Sequence, residues 1–177
     1  FRDATISVDQ NVLIPRIETE QLVDLLLEHF QDQKEEELNL LDIGTGSGCI
    51  PIDIKKKNPA WYCAGFDISE KAVNQAKINA KINETSVDFF QADILKLDRL
   101  PDEFQKSWDI IISNPPYITE DEKSEMHKQV TEHEPSLALF HDNPLTLYSS
   151  IINFAASQEA ALYLECNDKT AADVHQI

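Results

Sequence analysis

The stretch Leu40-Leu41-Asp42-Ile43-Gly44-Thr45-Gly46-Ser47-Gly48-Cys49 decides the fold of this chain. It holds three of the chain's four glycines. Glycines cluster where backbone must bend sharply or let another group come close. Ahead of them, Leu38 to Ile43 is apolar apart from Asn39 and Asp42 and reads as a short buried strand. Behind them, Cys49 and Ile50 open a helix. Pro51 falls in its first turn, where a missing N–H removes no helical bond. The segment is therefore strand, glycine loop, helix. Its spacing, Gly-x-Gly-x-Gly, differs from the Gly-x-Gly-x-x-Gly of a dinucleotide fingerprint, which argues against a nicotinamide oxidoreductase.

A second acid sharpens the reading. Trp61-Tyr62-Cys63-Ala64-Gly65-Phe66-Asp67 reads as a second strand ending in a carboxylate, 25 residues after Asp42. In open α/β sheets a carboxylate at the end of the second strand can accept both ribose hydroxyls of a nucleoside. Two plainer readings stand beside this one. The glycine loop can be a tight structural turn, and Asp67 can cap the helix that opens at Ser69.

The rest of the chain alternates strands with helices. Thr5 to Ile14, broken by Asp9-Gln10-Asn11, suggests a small N-terminal hairpin. A helix from about Thr19 carries Leu22, Leu25, Leu26 and Phe30 on one face, with His29 beside them as a partly buried structural histidine. A helix from Ser69 carries Ala72, Val73, Ala76 and Ala80. Val87 to Ala92 is a third strand, and Leu95 to Ser107 a loop with room for a helical turn. Trp108 to Ile112 is a fourth strand, too apolar for a surface position. Thr119 to Asp142 shows no clean period. Asn143 caps a helix with Pro144 at its first position and Leu147, Ile151, Phe154 and Ala155 as its stripe. Ala161 to Glu165 is a fifth strand, followed by the start of a helix at Ala171. This alternation predicts one α/β domain over 1–177: a Rossmann-like, mostly parallel sheet with helices on both faces, with 1–16 as hairpin and signature segment and 17–177 as core.

Composition narrows the function. At 177 residues, 42% hydrophobic and 27% charged, the chain is a globular domain able to bury a core. Net charge is −17. That field opposes the clustered Lys and Arg on which nucleic-acid affinity depends, and suits a cationic cofactor or a basic protein partner. No apolar run reaches membrane-spanning length and Phe1 opens no signal peptide, so a cytoplasmic location is expected. Cys49, Cys63 and Cys166 lack metal-ligand spacing and read as buried reduced thiols. His127, His133 and His141 lack it too, so no metal is expected.

The fourth strand runs into Ser113-Asn114-Pro115-Pro116-Tyr117. Two prolines donate no ladder N–H, so the chain must leave the sheet at its carboxyl edge, where such sheets bind ligands. The stiff turn presents the Asn114 amide, the Pro115 carbonyl and the Tyr117 ring together. Two acceptors and a flat surface suit a planar group bearing NH2. Alignment of nucleophile and electrophile is then the main catalytic resource, on the order of 7–11 kcal/mol at best, and no strong base is required. The plain alternative is a structural Pro-Pro turn.

The motifs together carry a resemblance. Asp42 to Gly48 resembles the cofactor loop of class I S-adenosylmethionine-dependent methyltransferases, and Asn114-Pro115-Pro116-Tyr117 that of their amino-group-modifying members. Val12-Leu13-Ile14-Pro15-Arg16-Ile17-Glu18-Thr19-Glu20 and Glu134-Pro135-Ser136-Leu137-Ala138-Leu139 resemble elements of the HemK/PrmC protein-(glutamine-N5) methyltransferases. The resemblance implies methyl transfer from S-adenosyl-L-methionine to the glutamine side chain of the Gly-Gly-Gln motif in peptide-chain release factors. It implies that Asp42, Gly44, Thr45, Gly46, Ser47 and Gly48 wrap the methionine part of the cofactor. Asp67 and Ile68 hold the ribose region, and Asp93 and Ile94 border the adenine. Asn114, Pro115, Pro116 and Tyr117 hold the glutamine amide, with Asn114 also beside the cofactor and the Tyr117 ring near the sulfonium. The roles of Arg16 and Glu134 stay open. The pattern has proline where this chain has Ile17. It also implies a helical domain before Phe1 and seven strands where five are read, so the last strands and an N-terminal domain are expected to be missing.

Two rivals belong to other classes. A nucleic-acid amino methyltransferase uses the same tetrapeptide on an exocyclic NH2, but must extrude its base and grip phosphates, which the acidic balance opposes. An inactive cofactor-binding fragment would bind the cofactor without turnover.

Overall fold

The computed structural model describes residues 1–97, 100–118, 135 and 139–177. Most of the expected stretch Thr119 to Asp142, with His127, His133, Glu134 and the 136–138 part of its motif, lies outside the described residues. Five strands form one sheet: β1 (Asn39–Ile43), β2 (Tyr62–Asp67), β3 (Val87–Gln91), β4 (Ile110–Ser113) and β5 (Ala161–Leu164). Their order is β3-β2-β1-β4-β5 and every pairing is parallel. Parallel strands need crossovers. Helices α2 (Cys49–Lys57), α3 (Glu70–Ile82) and α4 (Pro144–Gln158) supply those between β1 and β2, β2 and β3, and β4 and β5, while α1 (Ile17–His29) precedes β1 and the short α5 (Ala171–Val174) follows β5. Short 3-10 turns at Ile94–Lys96 and Asp102–Phe104 break the expected loop after β3.

The sheet is buried on both faces, and alternate residues of each strand serve opposite cores. Leu40, Ile110 and Ile112 join Val23 and Leu26 of α1, Ile52 and Ile54 of α2 and Ala76 of α3 in one cluster. Leu41, Ile43, Ile111 and Phe66 join Leu147, Ile151 and Ala155 of α4 in the other. This is why the central strands read as unbroken apolar runs.

The expected N-terminal hairpin is not formed: residues 1–16 contain no strand. Side-chain amides take the bonds a partner strand would have taken. The Thr5 N–H donates to Asn83 Oδ1 (2.9 Å) and the Ser7 N–H to Asn79 Oδ1 (3.0 Å), while Gln75 and Asn79 both donate to the Ser7 carbonyl. The segment is a strap laid along α3. Arg2 anchors its start, pairing with the fully buried Asp53 at 2.8 Å and with Asp24. Of the expected apolar stripe of α1, Leu26 is buried and Leu22 and Phe30 pack against the same core, whereas Leu25 is 58% exposed, and Thr19 and Val23 are buried in addition. The helix packs on α2 and β5, with Val23 and Leu26 in the cluster that covers this face of the sheet. His29 is exposed rather than partly buried, although its ring stacks on Phe30 and its Nδ1 meets the Tyr163 hydroxyl at 2.5 Å. Cys49 and Cys63 are buried and free, but Cys166 is only partly buried.

Candidate active site

Two chain exits lie side by side at the carboxyl edge of the sheet. Ile43 of β1 pairs with Ser113 of β4, and the Ser113 hydroxyl donates to the Ile43 carbonyl at 2.6 Å. Gly44 and Asn114 are therefore the first residues past one shared rung. Between them opens a cavity of about 600 Å³.

The glycine lip is fixed by backbone. Gly44, Gly46 and Gly48 all take left-handed φ values of +74°, +52° and +77°, which L side chains rarely adopt. The N–H groups of Gly44 and Thr45 both donate to the Phe66 carbonyl at 2.9 Å, and the Gly48 N–H to the Thr45 carbonyl at 2.8 Å. A Cβ at Gly44 or Gly46 would meet nothing within 4 Å, so both face open space. A Cβ at Gly48 would stand 2.9 Å from Ala76 Cβ and from the Phe89 ring. Gly48 is thus a packing glycine at the N-cap of α2. Gly44, Thr45, Gly46 and Ser47 line the cavity, and Gly48 does not. Gly65 of β2 completes the lip from below, since a Cβ there would meet Thr45 Oγ1 at 2.6 Å.

Two carboxylates serve this lip differently. Asp67 lines the cavity and braces its wall: Oδ2 accepts the Gly46 N–H at 2.9 Å and Oδ1 the Ser69 N–H at 2.9 Å. Ser69 itself is the N-cap of α3, accepting the Ala72 N–H. Burial pushes the Asp67 carboxyl above its ordinary range, and the N–H bonds from Ser69, Gly46 and Ile68 offset part of the rise. Asp42 lies beneath the loop and outside the cavity wall. It is fully buried, and neither of its oxygens has a hydrogen-bond partner. Burial pushes it up to about 7, and negative charge on Asp67 adds to it. Past β3, Ala92, Asp93, Ile94 and Leu95 supply the side wall, with Ile68 across from them.

The opposite lip is fixed by side chains. Asn114 Nδ2 donates to Thr19 Oγ1 at 2.8 Å, and Thr19 Oγ1 donates to Glu165 Oε2 at 2.9 Å. Asn114, Pro115 and Pro116 line the cavity, whereas Tyr117 does not. Its half-buried phenol is raised by burial and by the charges of Glu165 and Glu18, while Arg16 lowers it. Burial raises the Glu165 carboxyl as well, Glu18 adds to the rise, and hydrogen bonding from Thr19 and Asn114 opposes it.

Several wall residues have no local motif that announces them. The strap contributes Asn11, Val12, Leu13, Pro15 and Arg16, and Ile118 pairs with Phe140 so that Phe140 and His141 close the far side. Asn79, buried in α3, ties strap to loop by donating to the carbonyls of Ser7 and Ser47 at 2.9 Å. The only sequence signal for these was the Val12–Glu20 stretch. Among the described residues no group of His, Cys, Asp and Glu is placed to hold a metal, and no helix is long and apolar enough to cross a membrane.

An all-parallel sheet whose central strands end on a glycine loop and an Asn-Pro-Pro turn, sharing one cavity, defines a Rossmann-like methyltransferase domain. The chain belongs to the methyltransferase small domain family, whose model matches residues 18–138. Among curated proteins, the release factor glutamine methyltransferase of Lactococcus lactis is 41% identical over all of this chain, which covers 64% of that protein. The protein of the same name from Flavobacterium psychrophilum is 44% identical over 90% of this chain and 57% of its own length. The chain thus spans about three fifths of the curated relatives it matches. The hMettl16 catalytic domain in complex with the MAT2A 3'UTR hairpin 1 superposes with a TM-score of 0.71 at 18% identity, covering 99% of this chain and 66% of that one. The N-terminal domain of human METTL16 in complex with SAH gives 0.66 at 19%, covering 98% and 65%. At those identities the likeness is one of fold.

Proposed function

We propose that this chain is a catalytic domain that binds S-adenosyl-L-methionine and methylates the side-chain amide nitrogen of the glutamine in the Gly-Gly-Gln motif of a peptide-chain release factor. The observation that carries the reading is the shared rung: the open glycines and the Asn114 amide leave neighbouring strands into one cavity. The names of the relatives favour the same acceptor.

The residues present fit the cofactor. The open space at Gly44 and Gly46 is a cradle that any Cβ would fill. Gly44 to Ser47 would hold the methionine part, Asp67 and Ile68 the ribose region, and Asp93 with Ile94 the adenine. Asp42 and Gly48 act on that cradle from beneath, by shaping the loop. When bound, the cofactor supplies an electrophilic methyl group on a cationic sulfur.

This chain's own work is to bind and aim the acceptor. Asn114 Oδ1 and the Pro115 carbonyl each accept one N–H of the glutamine carboxamide, which fixes the plane of the amide and turns the nitrogen toward the cradle. An amide nitrogen is a weak nucleophile, and alignment with exclusion of water provides most of the acceleration. Transfer would exchange the cofactor's S–CH3 bond for the new N–C bond, leaving a neutral thioether, and the displaced N–H proton would pass to solvent. The strap from Asn11 to Arg16 and the Phe140-His141 wall shield the site. A release factor substrate places the reaction in the cytoplasm.

The test is incubation of the full chain with isotopically labelled cofactor and a release factor, followed by mass mapping. Label on the motif glutamine is the expected result. Label on RNA or DNA in a parallel reaction, with none on the protein, would overturn the proposal.

A further inference from the structure

Asn114 and Glu165 are the first residues past neighbouring strands. Ser113 pairs with Leu164, and the Glu165 N–H donates to the Ser113 carbonyl at 3.0 Å. The first turn of α1 lies over both and lowers Thr19, 3% exposed, between them. The direction of the hydrogen bonds follows from the chemistry of the groups. An ionised carboxylate only accepts, so the Thr19 hydroxyl spends its single proton on Glu165. Thr19 Oγ1 then has only lone pairs to offer Asn114, and the Asn114 atom facing it must be the NH2 group.

We propose that Thr19 and Glu165 are positioning residues that lock the Asn114 amide in one of its two flips, with Nδ2 on Thr19 and Oδ1 left for the acceptor, so that the site takes a carboxamide and rejects a carboxylate. This rests on the function proposed above and deepens it. With Oδ1 and the Pro115 carbonyl both acceptors, a glutamine side chain supplies the two N–H groups required. A glutamate supplies none and would set like partial charges against each other. If the amide flipped, Nδ2 would face the cavity and the preference would weaken. Neither Thr19 nor Glu165 has to touch the reacting atoms for this to hold.

The experiment measures methyl transfer to a release factor, competition by its glutamine-to-glutamate variant, and S-adenosylhomocysteine binding by calorimetry, in the full chain and in Thr19→Val, Thr19→Ser and Glu165→Gln. Thr19→Val is expected to lose about tenfold in kcat, the weight of one misdirected hydrogen bond, with homocysteine-ligand affinity within about twofold. The glutamate variant is expected to become a better competitor in Thr19→Val and Glu165→Gln. Thr19→Ser, which keeps the hydroxyl, is expected to restore both rate and selectivity. Should Thr19→Val fail to fold, the Ser and Gln variants carry the same contrast. Equal impairment of Thr19→Val and Thr19→Ser with unchanged selectivity would mark the pair as merely structural and overturn the inference. Unchanged transfer in Thr19→Val would also overturn it while leaving the proposed function intact. Wild-type chain that binds the homocysteine ligand but methylates no release factor would bring down the proposed function, and this inference with it.

Discussion

The two lips of the cavity lie one rung apart yet hold their shape by different means. At the glycine lip the information is local: three left-handed glycines within five residues, pinned to the Phe66 carbonyl and to Asp67 from the adjacent strand. At the asparagine lip it is remote. Asn114 depends on Thr19, 95 residues earlier, and on Glu165, which also accepts from Thr19 across 146 residues of chain. Backbone geometry tolerates any ligand that fits its curve. A side-chain relay fixes which atom is offered and can therefore discriminate. The comparison suggests a division of labour, with a permissive cradle for one ligand and a selective clamp for the other.

The largest effect should come from breaking the cradle at its packed end. Gly48→Ala forces a left-handed φ on an L residue, at about 1–2 kcal/mol. It also drives a methyl into Ala76 and Phe89, adding about 1–3 kcal/mol of overpacking. Gly46→Ala carries the backbone term alone, because nothing lies within 4 Å of its Cβ. Urea unfolding of the two variants checks the difference, and equal losses would mean that Gly48 is not the packing glycine. Next is the clamp. Asn114→Ala should reduce methyl transfer by about a hundredfold or more through misplacement of the acceptor, while S-adenosylhomocysteine affinity holds. Parallel loss of both would move Asn114 from the acceptor to the cofactor.

The same contrast explains what the sequence discloses. The strand–loop–helix at 39–57, the capping of α4 by Asn143 and the two-sided burial of β4 all follow from local pattern, and all are found, whereas α3 is capped by Ser69 and not by Asp67. What depends on distant partners is not legible in this way. Thr5 to Ile14 alternates like a hairpin, but Asn79 and Asn83 take its backbone bonds instead. Leu25 has the spacing of a core residue yet is exposed, while Thr19, which carries no apolar signal, is buried against Asn114 and Glu165. Tyr117 belongs to the same tetrapeptide as Asn114, Pro115 and Pro116 but does not line the cavity with them. A threonine in a first helical turn and a glutamate after an edge strand carry no mark of their partnership.

Asp67 sharpens the boundary between cradle and scaffold. One carboxylate supports the Gly46 and Ser69 backbones and is the group proposed to hold the ribose region. Asp67→Ala should weaken S-adenosylhomocysteine binding by about 1–3 kcal/mol, the weight of hydrogen bonds to a charged acceptor. Affinity that stays unchanged in calorimetry would leave Asp67 with only its structural bonds.

The smallest effect tests whether a departure from the family pattern matters. Ile17 stands where that pattern has proline, inside the segment that forms the cavity's strap and leads into the clamp. The structure makes it the first residue of α1, 72% exposed, preceded by Arg16 in an extended conformation at φ −101° and ψ 157°. Each of these suits proline: the first helical position has no intrahelical N–H bond to lose, and an extended preceding residue avoids the proline ring. Ile17→Pro should therefore leave Thr19 in place and stabilise the chain slightly, by about 0.4–1 kcal/mol through loss of unfolded-state freedom. Thermal unfolding checks the sign. A destabilised Ile17→Pro would mean that the first turn of α1 is not preformed, and that the clamp relies on this helix start being adjustable.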